Sequence, residues 1–391
     1  MASLPLPMRL LNAAGHLPAS RRNPRFRLDK VTVMDAARTR VGWSDFGPRY
    51  YEEGLDELLH SAENDVDLEL VGQIALREAI IDNLSNRLLL THAQTWQAEM
   101  FDEPLKAPII VTGLHRSGTT HLHRLLACDR SRHAPAYWEL VSPLVRPGEA
   151  DRRRARARRS LAWRKRVMPR LERMHSMDVD DPEECQYLTA TSFESVFFWS
   201  LAPVTGYLRW YRSHDRTQKY LEYRQWLQVL QRQAGGRPLV LKAPEHLGAL
   251  SALVEAVPEA RLVQIHRDPV TAFASFLDMS LTTQSLAGHV DISRTRQASL
   301  ALFESELAAN AAFRRSHPGA VVDVTYEQMM ADPVVTVGAV YEQLGEPEPA
   351  GLREQVKAYA ESHPQHQHGK HRYRVADAEP ARQRLEAAAT E

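Results

Sequence analysis

Apolar and polar positions along the chain change their period near residue 104. From Tyr50 to Met100, Leu55, Leu58 and Leu59, then Leu70, Ile74, Leu76, Ile80, Ile81 and Leu84 recur at three- and four-residue steps. That period predicts amphipathic helices. Residues 1–48 mix Pro, Arg and polar positions without a sustained period and read as an irregular arm wrapping the domain. After Pro104, four short apolar runs each enter a helical segment: APIIVTG (107–113), RPLVLKAP (237–244), ARLVQIHRDP (260–269) and GAVVDVTY (319–326). Strands alternating with helices predict an α/β fold, a parallel sheet with helices on both faces in three layers. Between Glu149 and Gln233 no strand pattern occurs, which predicts helical cover and the walls of a site. Three sections follow: an N-terminal arm with a helical part (1–103), the α/β domain (104–346), and a C-terminal helix and tail packing over the site (347–391).

Composition narrows the class. The 391 residues can bury a sizeable core. Lys plus Arg equal Asp plus Glu at 49 each, so overall charge does not point to a nucleic-acid partner. Two cysteines, Cys128 and Cys185, make no disulfide framework and fit a reducing compartment. The N-terminal apolar stretches are short and broken by Pro, unlike a signal peptide, and no run nears the roughly 20 apolar residues that span a bilayer. The expectation is a cytoplasmic protein. One local exception is the arginine-rich stretch 152–173, either a solvated helix with Leu161, Val167 and Leu171 as anchors or a peripheral contact with anionic membrane.

The first chemical signal is GLHRSGTT, Gly113 to Thr120, between a strand and an amphipathic helix. A helix N-terminus offers N–H groups and a positive dipole end to phosphate. Glycines let the backbone wrap an anion, and Ser117, Thr119 and Thr120 add hydroxyls. The spacing is that of a P-loop, so the sheet is expected to be P-loop-type. Yet Thr119 stands where the Lys of a nucleotide hydrolase belongs, the cation being Arg116 instead, and Asp323 inside VVDVT is a poor magnesium ligand.

RSGTT after an apolar strand resembles the 5′-phosphosulfate loop of sulfotransferases that use 3′-phosphoadenosine-5′-phosphosulfate (PAPS). The form with Arg is similar to tyrosylprotein sulfotransferases and to a bacterial branch. The resemblance runs from about Pro108 to Gly345 and includes the closing YEQMMADP run. It implies that His115, Arg116, Ser117, Gly118, Thr119 and Thr120 hold the 5′-phosphosulfate, and that Arg267, with Ser275 eight residues later, holds the 3′-phosphate. Asp268 and Pro269 suit an N-cap and a first helical residue between those two. Lys242 resembles a family lysine that faces the reacting sulfate. For the base the resemblance leaves two residues, Glu139 and His246. The Gly-rich basic loop of cytosolic members is missing, and HQHGKHRYR (366–374) is the segment that could replace it. His121 stands where cytosolic members carry a Trp near the adenine, which leaves the stacking partner unassigned.

The implied reaction is sulfuryl transfer from PAPS, as co-substrate without metal, to a hydroxyl or amine of a small-molecule or lipid acceptor. His121 and His123 are two apart on a helix and so face different ways, which gives no metal site. A P-loop small-molecule kinase and a non-catalytic membrane-surface protein are the competing readings. The aromatic stretch from Thr191 to Tyr211 reads as acceptor pocket or as core.

Overall fold

A computed structural model describes residues 6–15, 26–363 and 379–390. Four parallel strands form one sheet: β1 (Ile109–Thr112), β2 (Val240–Lys242), β3 (Arg261–His266) and β4 (Val321–Thr325), in the order β2-β1-β3-β4. These are the four apolar runs of the sequence. Residues of β1 alternate between two cores, as the period of a strand requires. Ile110, with Leu241 and Leu262, joins the larger core, whereas Ile109 and Val111, with Val240, Val263 and Ile265, join the second. Helices cover both faces, so the three layers are present. The second core is closed by Leu122 and Leu125 of the helix Thr119–Leu126 and by Val337 and Val340 of Pro333–Leu344.

The larger core reaches from Val33 to Ala388 and draws in the helices Lys30–Val41, Tyr51–Asn64 and Leu70–Trp96. Described parts of the N-terminal section therefore share their core with the α/β domain. The described part of the arm corrects the sequence reading, since it includes the helices Leu6–Gly15 and Lys30–Val41. The second is held by its ends: Asp29 accepts from Thr32 N–H at 3.0 Å, and Gly42 closes it with φ 82°. Val33, Ala37 and Val41 form its buried face, four residues apart, and so small a stripe is easily overlooked. Between β1 and β2, residues 149–233 are helical as expected. The C-terminal helix Arg382–Thr390 packs on Ile292–Ser316 and Pro269–Gln284. The segment 366–374 lies outside the described residues. Among the described residues, no helix is long and apolar enough to cross a membrane.

Strand order decides where a ligand can sit. The chain leaves β1 toward β2 on one side and returns to β3 on the other, so a crevice opens at the carboxyl ends of β1 and β3.

Beneath that crevice lies a buried polar cluster. Lys219 and Glu245, both fully buried, pair at 3.0 Å. Glu245 also accepts from Ser195 Oγ at 2.7 Å, from Val196 N–H at 2.9 Å and from the Thr189 hydroxyl. Burial alone would raise this carboxyl, but Lys219 and the hydroxyl donors hold it down at about 2. Its folded value lies below the ordinary 4.5, so its contribution to stability is present above that pH and is lost as the pH falls toward 2. Lys219→Ala is expected to cost about 3–5 kcal/mol in urea unfolding, because it strands a buried carboxylate. A loss below about 1 kcal/mol, the size of an exposed pair, would show that Glu245 does not depend on Lys219.

Candidate active site

The loop between β1 and the helix Thr119–Leu126 is shaped by its two glycines. Gly113 has φ 145°, and a Cβ there would lie 2.4 Å from Ile265 O. Gly118 has φ 105° and is the N-cap without a side-chain capping bond, so the helix begins with no side chain over its first N–H groups. A Cβ on Gly118 would lie 2.9 Å from the Tyr326 ring. That open helix start, with backbone drawn close around it, is what a phosphate or sulfate requires. Between the glycines, Arg116 itself adopts φ 69°, a conformation uncommon for a residue with a side chain.

Residues far apart in sequence meet at this loop. Arg116 Nε donates to Ser275 Oγ at 3.2 Å, and its Nη2 donates to Met174 O at 3.2 Å. Arg267 leaves the end of β3, donates from Nη1 to Arg116 O at 3.0 Å, and lies 4.3 Å over the Tyr326 ring. Asp268 and Pro269 are the N-cap and first residue of the helix Pro269–Gln284, and Asp268 accepts from Thr271 N–H at 2.7 Å. That helix carries Ser275 back toward Arg116. Asp268 also accepts from Arg382 Nη1 at 3.0 Å, which ties the C-terminal helix to this corner.

A cavity of about 1570 Å³ opens against the loop, lined there by His115, Arg116, Gly118, Thr119, Thr120, His121 and Arg267. Ser117 and Ser275 are buried behind it, and among the described residues Ser117 Oγ has no hydrogen-bond partner. His115 turns its ring toward Glu306, Nε2 to Oε1 3.4 Å. Burial would lower that imidazole, but the Glu306 carboxylate more than offsets it and leaves it raised.

Lys242, at the end of β2, is fully buried rather than a surface residue. Its Nζ donates to Thr120 Oγ1 at 3.1 Å and to Glu184 Oε1 at 2.5 Å, with Glu183 Oε1 at 3.9 Å. Glu183 and Glu184 both line the cavity, beside His175. Burial would raise the Glu183 carboxyl, but His175, at 3.3 Å, and Lys242 hold it well below the usual carboxylate range.

Glu139 and His246 are not brought to the cavity. Glu139 bonds the Ala136 N–H at 2.8 Å and His133 Nε2 at 3.1 Å, closing the start of its own short helix. His246 is packed in the core between Tyr220 OH (2.9 Å) and Cys185 Sγ (3.3 Å), and burial pulls its imidazole down to about 3. The acidic pair of DPEEC escaped the sequence reading because nothing in its spacing sets it apart from a solvated turn. Only folding against β2 joins Glu184 to Lys242.

Residues 108–350 match the family model described as the sulfotransferase family. The chain belongs to that family. Two solved structures extend the likeness to nearly the whole sulfotransferase. It is 28% identical to sulfotransferase STF1 from Mycobacterium tuberculosis H37Rv, over 92% of this chain and 98% of that one, with a TM-score of 0.80. It is 25% identical to sulfotransferase STF9 from Mycobacterium avium, over 92% and 96% of the two chains, with a TM-score of 0.82. No curated protein matches.

The tight loop of this sulfotransferase gives a direct test. Gly118→Ala is expected to cost about 1–3 kcal/mol, because a side chain must then hold φ 105°. Thermal unfolding beside Gly148→Ala, where an added Cβ meets nothing within 4 Å at a similar positive φ, separates strain from crowding. If Gly118→Ala is no worse than Gly148→Ala, contact with Tyr326 does not constrain the loop.

Proposed function

We propose that the chain transfers a sulfuryl group from PAPS to the hydroxyl of an acceptor. The observation that carries this is the convergence of two cationic anchors, Arg116 with Ser275 and Arg267, on one loop at the crevice between β1 and β3. One nucleotide with a 5′-phosphosulfate and a 3′-phosphate has its charges distributed to meet such a pair. PAPS is a substrate, consumed at each turnover. The open helix start and the Thr119 and Thr120 hydroxyls receive the 5′-phosphosulfate, and Arg267 and Ser275 receive the 3′-phosphate.

Transfer forms an S–O bond to the acceptor oxygen and breaks the S–O bond to the 5′-phosphate, releasing adenosine 3′,5′-bisphosphate. Negative charge grows on the oxygen that leaves. Arg116 and Lys242 are fixed cations beside the loop, so they stabilise that charge without reorganising. The acceptor proton needs a base that faces the cavity. Glu184 does so, one lysine away from Thr120 of the loop. An arriving phosphosulfate competes with Glu184 for Lys242, which turns the carboxylate over to the acceptor as the sulfate is bound. This departs from the two bases that the resemblance suggested, on the ground that neither lines the cavity.

The test compares Glu184→Gln, Glu139→Gln and His246→Gln. Only Glu184→Gln is expected to lose turnover by about 10²–10⁴-fold, the usual cost of removing a general base. Affinity for adenosine 3′,5′-bisphosphate should stay at or above wild type. Near-normal turnover for Glu184→Gln would remove it as the base, and Mg-ATP stabilising the fold in place of the bisphosphate would return the kinase reading.

A further inference from the structure

The cavity has a second end, away from the loop. Lining residues that are also exposed mark its mouth, among them Leu11 from the helix Leu6–Gly15, and Arg156, Ser160 and Trp163 from the arginine-rich helix Arg153–Val167. The two helices meet there, since Met8 packs on the small apolar cluster of Val71, Val167 and Leu286. Leu6 and Leu10 stand 63% and 62% exposed and Trp163 45%. Leu11 and Trp163 at the cavity entrance, with Leu6 and Leu10 exposed on the same helix as Leu11, are not explained by a solvated helix. Behind the mouth, Val71, Ile74, Met168, Leu171, Phe276 and Leu286 continue the apolar wall inward.

The charge around this mouth is basic. Most acidic groups near it are paired: Glu78 and Asp82 with Arg40, Glu149 with Arg146, Asp180 with Arg154, and Glu172 with Lys165, with Asp178 beside Arg154 in no ion pair among the described residues. Arg158, Arg159 and Arg166 are exposed and make no ion pair with a described residue. Exposed leucines and a tryptophan framed by arginines match the interface of an anionic bilayer, where hydrocarbon lies below and phosphate above. A nucleic acid would suit the arginines but leave the leucines in water.

We infer that the cavity mouth seats on an anionic lipid surface and that the acceptor is an amphipathic alcohol entering from it. The apolar body of the acceptor occupies the inner wall, its hydroxyl oxygen attacks sulfur, and its proton passes to Glu184. The identity of the transferred group rests on the PAPS reading above; the lipid surface does not.

The experiment uses the full chain and sedimentation with vesicles of phosphatidylcholine, with and without phosphatidylglycerol, at low and high salt. Binding is expected only to the anionic vesicles and should weaken with salt. Each arginine near such a surface is worth a factor of about 5 in binding, so the triple variant Arg158→Glu, Arg159→Glu, Arg166→Glu should lose on the order of 100-fold or more. Its affinity for adenosine 3′,5′-bisphosphate should not change, which shows that it is folded. Equal binding to neutral vesicles, no vesicle binding, or full binding by the triple variant overturns the lipid surface; binding of duplex DNA in place of vesicles reassigns the patch. For the acceptor, kcat/KM with labelled PAPS should be far higher for octanol than for ethanol, up to about 4-fold per methylene buried. Equal values, or no transfer to either alcohol by a protein that binds the bisphosphate, overturn the amphipathic acceptor. Vesicle binding without any bisphosphate binding would instead sink the PAPS reading and leave the surface standing.

Discussion

Positive charge crowded at the ends of three neighbouring strands is the constraint on which the site depends. Lys242 ends β2, Arg116 follows β1, and Arg267 follows β3, and the sheet order makes these strands adjacent. Like charges brought this close in a partly dry crevice need compensation. Glu184 compensates Lys242, while Ser275, Met174 O and the Arg116 carbonyl accept from the two arginines. Glu183, with Oε1 3.9 Å from Lys242 Nζ, adds a second carboxylate on that side. The adjacency of these three strand ends, more than any single contact, sets where the cations stand.

The same geometry links the polar and apolar halves of the cavity. Helix Pro269–Gln284 begins at the anion corner, where Asp268 caps it, and carries Phe276 to the cavity wall within two turns. Glu183 and Glu184 line the same cavity, and Glu184 is joined through Lys242 to Thr120 of the loop. Below, Lys219 and Glu245 secure the segment after β2 to the helices Gln186–Thr189 and Thr217–Gln233, so Lys242 is held on a rigid strand end.

Local patterns were enough to read the sheet, because short apolar runs ending in turns have few other folds open to them. The turn from Gly113 into the helix at Thr119 and the Asp268–Pro269 helix start were legible for the same reason: the signals of a helix N-terminus are written in consecutive residues. The helix Lys30–Val41 was missed because its buried stripe includes only two large side chains, and its stability comes from Asp29 and Gly42 at its ends. The cavity carboxylates were missed for a different reason. Glu184 gains its meaning from Lys242, 58 residues away, and no period or motif connects them. Conversely, Glu139 and His246 had a plausible spacing, yet packing directs one to its own helix cap and the other into the core.

The central claim is that Arg116 and Arg267 serve two charged ends of one nucleotide. Titration calorimetry without Mg²⁺ tests it most directly, with adenosine 3′,5′-bisphosphate and adenosine 5′-phosphosulfate as ligands for wild type and Arg267→Ala. The account predicts that wild type binds both ligands and that the variant loses about 1.5–3 kcal/mol for the bisphosphate, the cost of hydrogen bonds to a charged group. Binding of the phosphosulfate, which has no 3′-phosphate, should be nearly unchanged. Equal losses for the two ligands, or no bisphosphate binding by wild type, would contradict it.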